Sequence, residues 1–143
     1  MCIRDSRIPS VPDWQLSGSA TYTLPGLLSA RESYISGSWQ FVGDSITQSG
    51  DQVPGNEVFT HDLPYAGIPA DQTTEVDLPL DSYHLFNLSA GLVYENIEFT
   101  AYVKNLTDEN VELSFDRERG GRARLAYRVG QPRTFGVVTR MRF

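Results

Sequence analysis

One pattern governs what this chain can become: apolar and polar residues alternate at period two over stretches of about ten residues. From Trp14 to Leu24 the even positions are Trp14, Leu16, Gly18, Ala20, Tyr22 and Leu24, and the odd positions between them are Gln or Ser or Thr. Successive side chains of a strand point to opposite faces, so this segment is a strand with one apolar and one polar face. The same alternation returns at Glu32–Gly43 (Ile35, Gly37, Trp39, Phe41), at Tyr83–Tyr94 (Phe86, Leu88, Ala90, Leu92, Tyr94), at Ile97–Lys104 (Ile97, Phe99, Ala101, Val103) and at Arg133–Phe143 (Phe135, Val137, Thr139, Met141, Phe143). The reading is all-β: an antiparallel meander of about five long strands, near 13–24, 32–43, 83–94, 97–104 and 133–143, with no helical periodicity.

The connections alternate in length. Pro25-Gly26 and Glu95-Asn96 give short turns, whereas 44–82 and 105–132 are long. Val111, Leu113 and Phe115 suggest a ribbon in the second long connection, turned at Arg119-Gly120-Gly121 and returning through Leu125, Tyr127 and Val129. Long loops at one end and tight turns at the other are the rhythm of bacterial outer-membrane barrels, whose strands cross the bilayer in about 9–11 residues. On that reading the long loops are extracellular, and Trp14, Tyr22, Trp39, Phe41, Phe86, Tyr94 and Phe99 face lipid, with aromatics near both interfaces. No Lys, Arg, Asp or Glu falls within the middle of the five apolar faces, and Arg140 and Arg142 fall on the opposite face.

Composition narrows the alternatives. With 143 residues there is room for one ordinary domain, and 18 Asp+Glu against 12 Lys+Arg give a net charge of −6, which argues against a nucleic-acid partner. A single cysteine excludes a disulfide frame, and His61 and His84 are too few for most zinc sites, so no cofactor and no metal are expected. Residues 1–6, Met-Cys-Ile-Arg-Asp-Ser, have no apolar core behind them and so are not a signal peptide; they resemble an adapter-like, non-native leader, leaving 7–143 for the fold.

Several blocks resemble the C-terminal part of the barrel of TonB-dependent outer-membrane receptors. They are Tyr83-His-Leu-Phe-Asn-Leu-Ser-Ala-Gly91, Ala101-Tyr-Val-Lys-Asn-Leu-Thr-Asp108 and Gly130-Gln-Pro-Arg-Thr-Phe-Gly136 running on to Phe143. The resemblance covers roughly Ile8–Phe143. It implies the last transmembrane strands of a 22-stranded barrel in the bacterial outer membrane. It further implies energy-coupled uptake of a scarce solute (an iron chelate, cobalamin or a glycan), no enzymatic activity, and a plug domain and TonB-contacting segment in an N-terminal part outside this chain. The implied partners are outer-membrane lipid, the TonB complex through that N-terminal part, the barrel-assembly machinery and an unidentified small-molecule ligand. The assembly signal of outer-membrane barrels, a terminal aromatic preceded by apolar residues at every second position, falls on Phe135, Val137, Met141 and Phe143, with Thr139 as the departure.

Other readings stay open. A small complete outer-membrane barrel needs about eight strands, and five are found. A soluble β-sandwich binding module would bury one face of each strand and use its loops for ligands. Phe41-Val-Gly-Asp-Ser-Ile-Thr-Gln48 and Asp81-Ser-Tyr-His84 resemble the blocks of GDS(L)-type serine esterases, with Ser45, Asp81 and His84 as triad. Against this, the segment before Ser45 is amphipathic rather than a buried parallel strand. The stretch between the blocks is also too short for several crossover units. The acidic run Asp44, Asp51, Glu57, Asp62, Asp71, Glu75, Asp77 and Asp81 could attract cations or solvate a loop. Arg117, Arg119, Arg122 and Arg124 could face an anionic ligand or pair with those acids.

Overall fold

The structure is a computed structural model describing residues 7–55, 57–61, 64, 69–75, 78–117 and 125–143. Residues 1–6, Asp62, Asp77, Arg119, Arg122 and Arg124 lie outside the described residues. The fold is all-β, with strands β1 (Gln15–Leu24), β2 (Glu32–Val42), β3 (Ser45–Ile46), β4 (Val58–His61), β5 (Gln72–Glu75), β6 (Pro79–Leu80), β7 (Tyr83–Val93), β8 (Ile97–Lys104), β9 (Glu112–Arg117), β10 (Leu125–Val129) and β11 (Thr134–Met141). Single 3-10 turns at Leu27–Ser29 and Ser49–Gln52 are the helical elements among the described residues.

The chain divides into two compact units. One holds the five-stranded antiparallel sheet, in the order β1-β2-β7-β8-β11, each long strand beside the next in sequence. Its short connections sit at one end. The β7–β8 hairpin closes with Tyr94 N–H donating to Ile97 O at 2.7 Å, and the β1–β2 turn passes through left-handed Gly26 (φ 74°). At the opposite end the β8–β11 connection is fastened by Asn105, a buried residue with φ 51°. Its Nδ2 donates to Glu109 O (2.9 Å) and Gln131 O (3.1 Å), its Oδ1 accepts from Glu109 N–H (2.9 Å), and its own N–H donates to Asn87 Oδ1 (3.0 Å).

Among the described residues, the second unit is drawn from 7–14, 43–82 and 111–130. The long connections are therefore not plain loops: they carry β3 paired with β6, β4 with β5 and β9 with β10. The ribbon expected from Val111 to Val129 is the β9–β10 pair. Leu78, Leu80 and Phe115 form a buried core, with Tyr127 packed on it at 4.9 Å between ring centroids to Phe115. Arg7 ties the N-terminal segment down through Asp44 (2.8 Å) and Asp13 (3.0 Å). The hydrogen bond to Asp44 raises the Arg7 pKa above its ordinary value against the opposing effect of burial.

Candidate functional site

The cross-strand register decides whether five separate alternations make one surface. Leu16 pairs with Phe41 and Phe41 with His84; Gly18 pairs with Trp39 and Trp39 with Phe86. Ala20–Gly37–Leu88–Val103–Phe135 and Tyr22–Ile35–Ala90–Ala101–Val137 run unbroken across all five strands. Since partners in an antiparallel pair share a face, every apolar alternation read from the sequence lies on one side of one sheet. A one-residue slip at any junction would have divided it.

That side is uncovered. Tyr22, Phe135 and Val137 are 67%, 68% and 73% exposed. In β7 the usual rule is inverted: His84, Phe86, Leu88 and Ala90 are exposed, while Tyr83, Leu85, Asn87 and Ser89 are partly covered. An antiparallel sheet in water covers its apolar face and wets its polar one. Fully hydrating a large apolar side chain forfeits about 1.5–3 kcal/mol. Leaving the exposed half of this face in water therefore costs on the order of 10 kcal/mol, comparable to the net stability of a typical domain.

Aromatic rings gather toward the two ends of the face. Near the long connections His84 lies against Phe41 (4.8 Å between centroids) and between Trp39 and Phe86 (6.1 and 6.5 Å), and Trp39 Nε1–H donates to His84 Nδ1 at 3.2 Å. Toward the short turns Tyr94 meets Phe99 edge-on at 6.4 Å, and its hydroxyl donates to Leu28 O at 3.2 Å. Between them Gly18, Ala20, Gly37, Ala90 and Ala101 leave two shallow apolar troughs of about 430 and 440 Å³, one on each side of Leu88. Ser33 is a buried polar residue on this side, its hydroxyl donating to Leu24 O.

The opposite side is built of hydroxyls and amides. Thr21 Oγ1–H donates to Ser36 Oγ (2.9 Å), Asn87 Nδ2 to Ser38 Oγ (3.2 Å), and the Tyr34 and Thr100 hydroxyls are 3.0 Å apart. Two tyrosines lie flat over glycines of the adjacent strand: Tyr34 over Gly91 and Tyr102 over Gly136, where a Cβ would overlap the ring. Charge on this side is confined to its ends, with Lys104 at one and the Arg140–Glu98 pair (3.1 Å) at the other.

Phe135, Val137 and Met141 share the apolar side of β11, which pairs with β8 along one edge only in the sheet, and Phe143 is fully exposed beyond its end. Trp14 is exposed just before β1. Ser45 and Asp81 belong to the unit with the short strands, and His84 to the large sheet, where Trp39 occupies its Nδ1. Arg117 ends β9. Among the described residues no three His, Cys, Asp or Glu side chains come together as a metal site, and no helix is long and apolar enough to cross a membrane. Asn105 was not legible as a key residue, because its partners at Glu109 and Gln131 are chosen by the tertiary fold. No family model, curated protein or solved structure matches the chain.

Proposed function

We propose that the five-stranded sheet is a section of a membrane-spanning β-barrel wall, the C-terminal part of a TonB-dependent outer-membrane receptor that takes up a scarce solute. The observation that carries this reading is the register: five apolar alternations fall on one uncovered face, backed by a hydroxyl-lined face. Lipid is the cover that removes the hydration cost of such a face without a second protein layer, and the polar side then faces the lumen. Aromatic rings near both ends of the apolar face and small aliphatic residues between them match the depth profile of a bilayer.

Strand direction supports a role as part of a larger ring. In a five-stranded antiparallel meander β1 and β11 run the same way. An all-antiparallel barrel therefore closes on this sheet only with an odd number of further strands, and bacterial barrels have even totals. Both edges need such partners, because an unpaired edge is an aggregation hazard. The blocks resembling TonB-dependent receptors give the identity of the ring in this proposal, and solute import follows from it.

The test uses the chain with Trp14→Phe, so that Trp39 is the sole tryptophan. Refolded into vesicles whose acyl chains carry bromine, Trp39 fluorescence is quenched if the apolar side meets lipid. A soluble, monodisperse monomer in detergent-free buffer, unfolding cooperatively and unquenched by such vesicles, would overturn the proposal.

A further inference from the structure

His84, on the apolar side of the sheet, has one ring nitrogen satisfied and one left over. The imidazole lies against Phe41 and between Trp39 and Phe86, with ring centroids 4.8, 6.1 and 6.5 Å away. Trp39 Nε1–H donates to His84 Nδ1 at 3.2 Å. An indole nitrogen can only donate, so Nδ1 holds a lone pair and the single proton of the neutral ring sits on Nε2. That Nε2–H makes no hydrogen bond with the described residues, and His84 is exposed.

The strand fixes the depth of this leftover donor. Tyr94 stands ten residues further along the same alternation. At about 3.3 Å per residue and a tilt of about 40°, ten residues cross roughly 25 Å, the height of the apolar band of an outer-membrane barrel. With the sheet in a bilayer, His84 and Tyr94 therefore mark the two boundaries of the band. At the Tyr94 boundary the protein answers the polar group itself, the hydroxyl donating to Leu28 O at 3.2 Å. At the His84 boundary it does not. A trough of about 430 Å³ is lined by Trp39 and Phe86, the rings that flank His84, and by Gly18, Ala20 and Gly37. It leads from those rings toward the middle of the apolar side.

We propose that His84 binds the acyl ester of a membrane lipid, Nε2–H donating to the ester carbonyl while the acyl chain lies in the trough. This inference rests on the reading of the sheet as a membrane wall. Ester carbonyls are the first acceptors met on leaving the hydrocarbon, which is the depth of Nε2. A phosphate fits less well, because its charge favours the doubly protonated ring, in which an Nδ1–H would oppose the indole N–H of Trp39. The ring partners Trp39, Phe41 and Phe86 also bring no cation to meet a phosphate. A carbonyl needs only the neutral ring that the bond from Trp39 selects.

The experiment uses the full chain with Trp14→Phe and His61→Gln, so that Trp39 and His84 are the sole tryptophan and histidine. The chain is refolded into vesicles of diester phosphatidylcholine isotopically labelled at the acyl carbonyl carbon, and dipolar coupling from that carbon to the two imidazole nitrogens is measured. Coupling falls with the cube of distance. A carbonyl bonded to Nε2 lies about 4 Å from it and about 6 Å from Nδ1, so Nε2 should couple about threefold more strongly. A second arm compares unfolding in diester and diether phosphatidylcholine, which share head and chains while the diether lacks the carbonyls. His84→Phe should lower the preference of the folded chain for the diester by about fivefold, the worth of one net hydrogen bond. Equal coupling to the two nitrogens, or a diester preference that His84→Phe leaves intact, overturns the proposal. If His84→Phe does not fold, the coupling ratio in the chain that keeps His84 decides alone. In brominated vesicles, a chain whose Trp39 is quenched but whose Nε2 shows no excess coupling overturns this inference and leaves the membrane wall standing. A chain whose Trp39 is not quenched overturns both.

Discussion

The two units of this chain obey opposite burial rules. In the unit built from the long connections, Leu78 and Phe115 are each 2% exposed and make an ordinary inside core. In the large sheet, side chains of the same kinds stand outward: Phe135 is 68% and Val137 73% exposed. One sequence therefore holds both an apolar core hidden among its own side chains and an apolar sheet face that its own side chains leave exposed. On the proposed reading a bilayer covers the second kind of surface, and the contrast between the two units is what that reading has to explain.

The largest test of the contrast lies in the small core. Phe115→Ala removes a fully buried ring that packs on Tyr127, and its backbone N–H also donates to Thr47 Oγ1 at 3.0 Å. The expected loss is about 3–5 kcal/mol of local stability, read as faster amide exchange in 43–82 and 111–130. Next comes Leu88→Arg. Leu88 is 45% exposed, so in water the change is nearly neutral. In a bilayer, near the midplane, it costs about 2–4 kcal/mol. Urea titration of vesicle-folded chain separates the two, and Ser89→Arg on the polar side should cost far less. A neutral Leu88→Arg in vesicles would make the two units alike and remove the contrast.

The sheet and the β9–β10 ribbon were legible in the sequence and the short pairings within 44–82 were not, for a physical reason. Period-two alternation over ten residues specifies a strand, its face and, with tight turns such as Glu95-Asn96, its register; β1, β2, β7, β8 and β11 match the expected spans to within about two residues. Strands of two to four residues carry no measurable period, and β3 reaches β6 only through the tertiary fold, so 44–82 reads as loop. Within the candidate site the apolar face was visible residue by residue. The hydrogen bond from Trp39 to His84 was not, because the two rings meet only through the register of β2 against β7 across the long connection.

Asn105 gives the third expected effect. Its amide joins Glu109 and Gln131, and its backbone takes a left-handed conformation that Asn tolerates and Ala resists. Asn105→Ala should cost about 2–3 kcal/mol, from lost buried hydrogen bonds and backbone strain together. Asn105→Gly, which relieves only the strain, should recover part of it. Equal losses for the two would show that backbone strain plays no part. Gly136→Ala follows at about 1–3 kcal/mol, because the new methyl displaces the Tyr102 ring. Adding Tyr102→Ala should make that substitution nearly harmless, a coupling that a double-mutant cycle measures directly. Additive losses would mean that the ring and the glycine do not depend on each other.

The smallest effect is the most discriminating, because its sign rather than its size carries the information. Thr139 lies on the apolar side of β11, opposite Phe99, and Thr100 lies on the polar side of β8 beside the Tyr34 hydroxyl. Threonine and valine have nearly the same shape and both favour strands, so Thr→Val changes little except a hydroxyl. At Thr139 in lipid the hydroxyl is an unfavourable group, and its removal should stabilise by about 0.5–1 kcal/mol. In water the same exposed hydroxyl is hydrated, and its replacement by a methyl should yield no gain. At Thr100 the substitution removes the partner of Tyr34 and should cost about 1 kcal/mol in either medium. Denaturant midpoints of the two variants, compared in vesicles and in detergent, therefore have opposite signs if the two faces of the sheet meet different media. Two losses of similar size in vesicles would place water on both faces and return the sheet to the same rule as the small core.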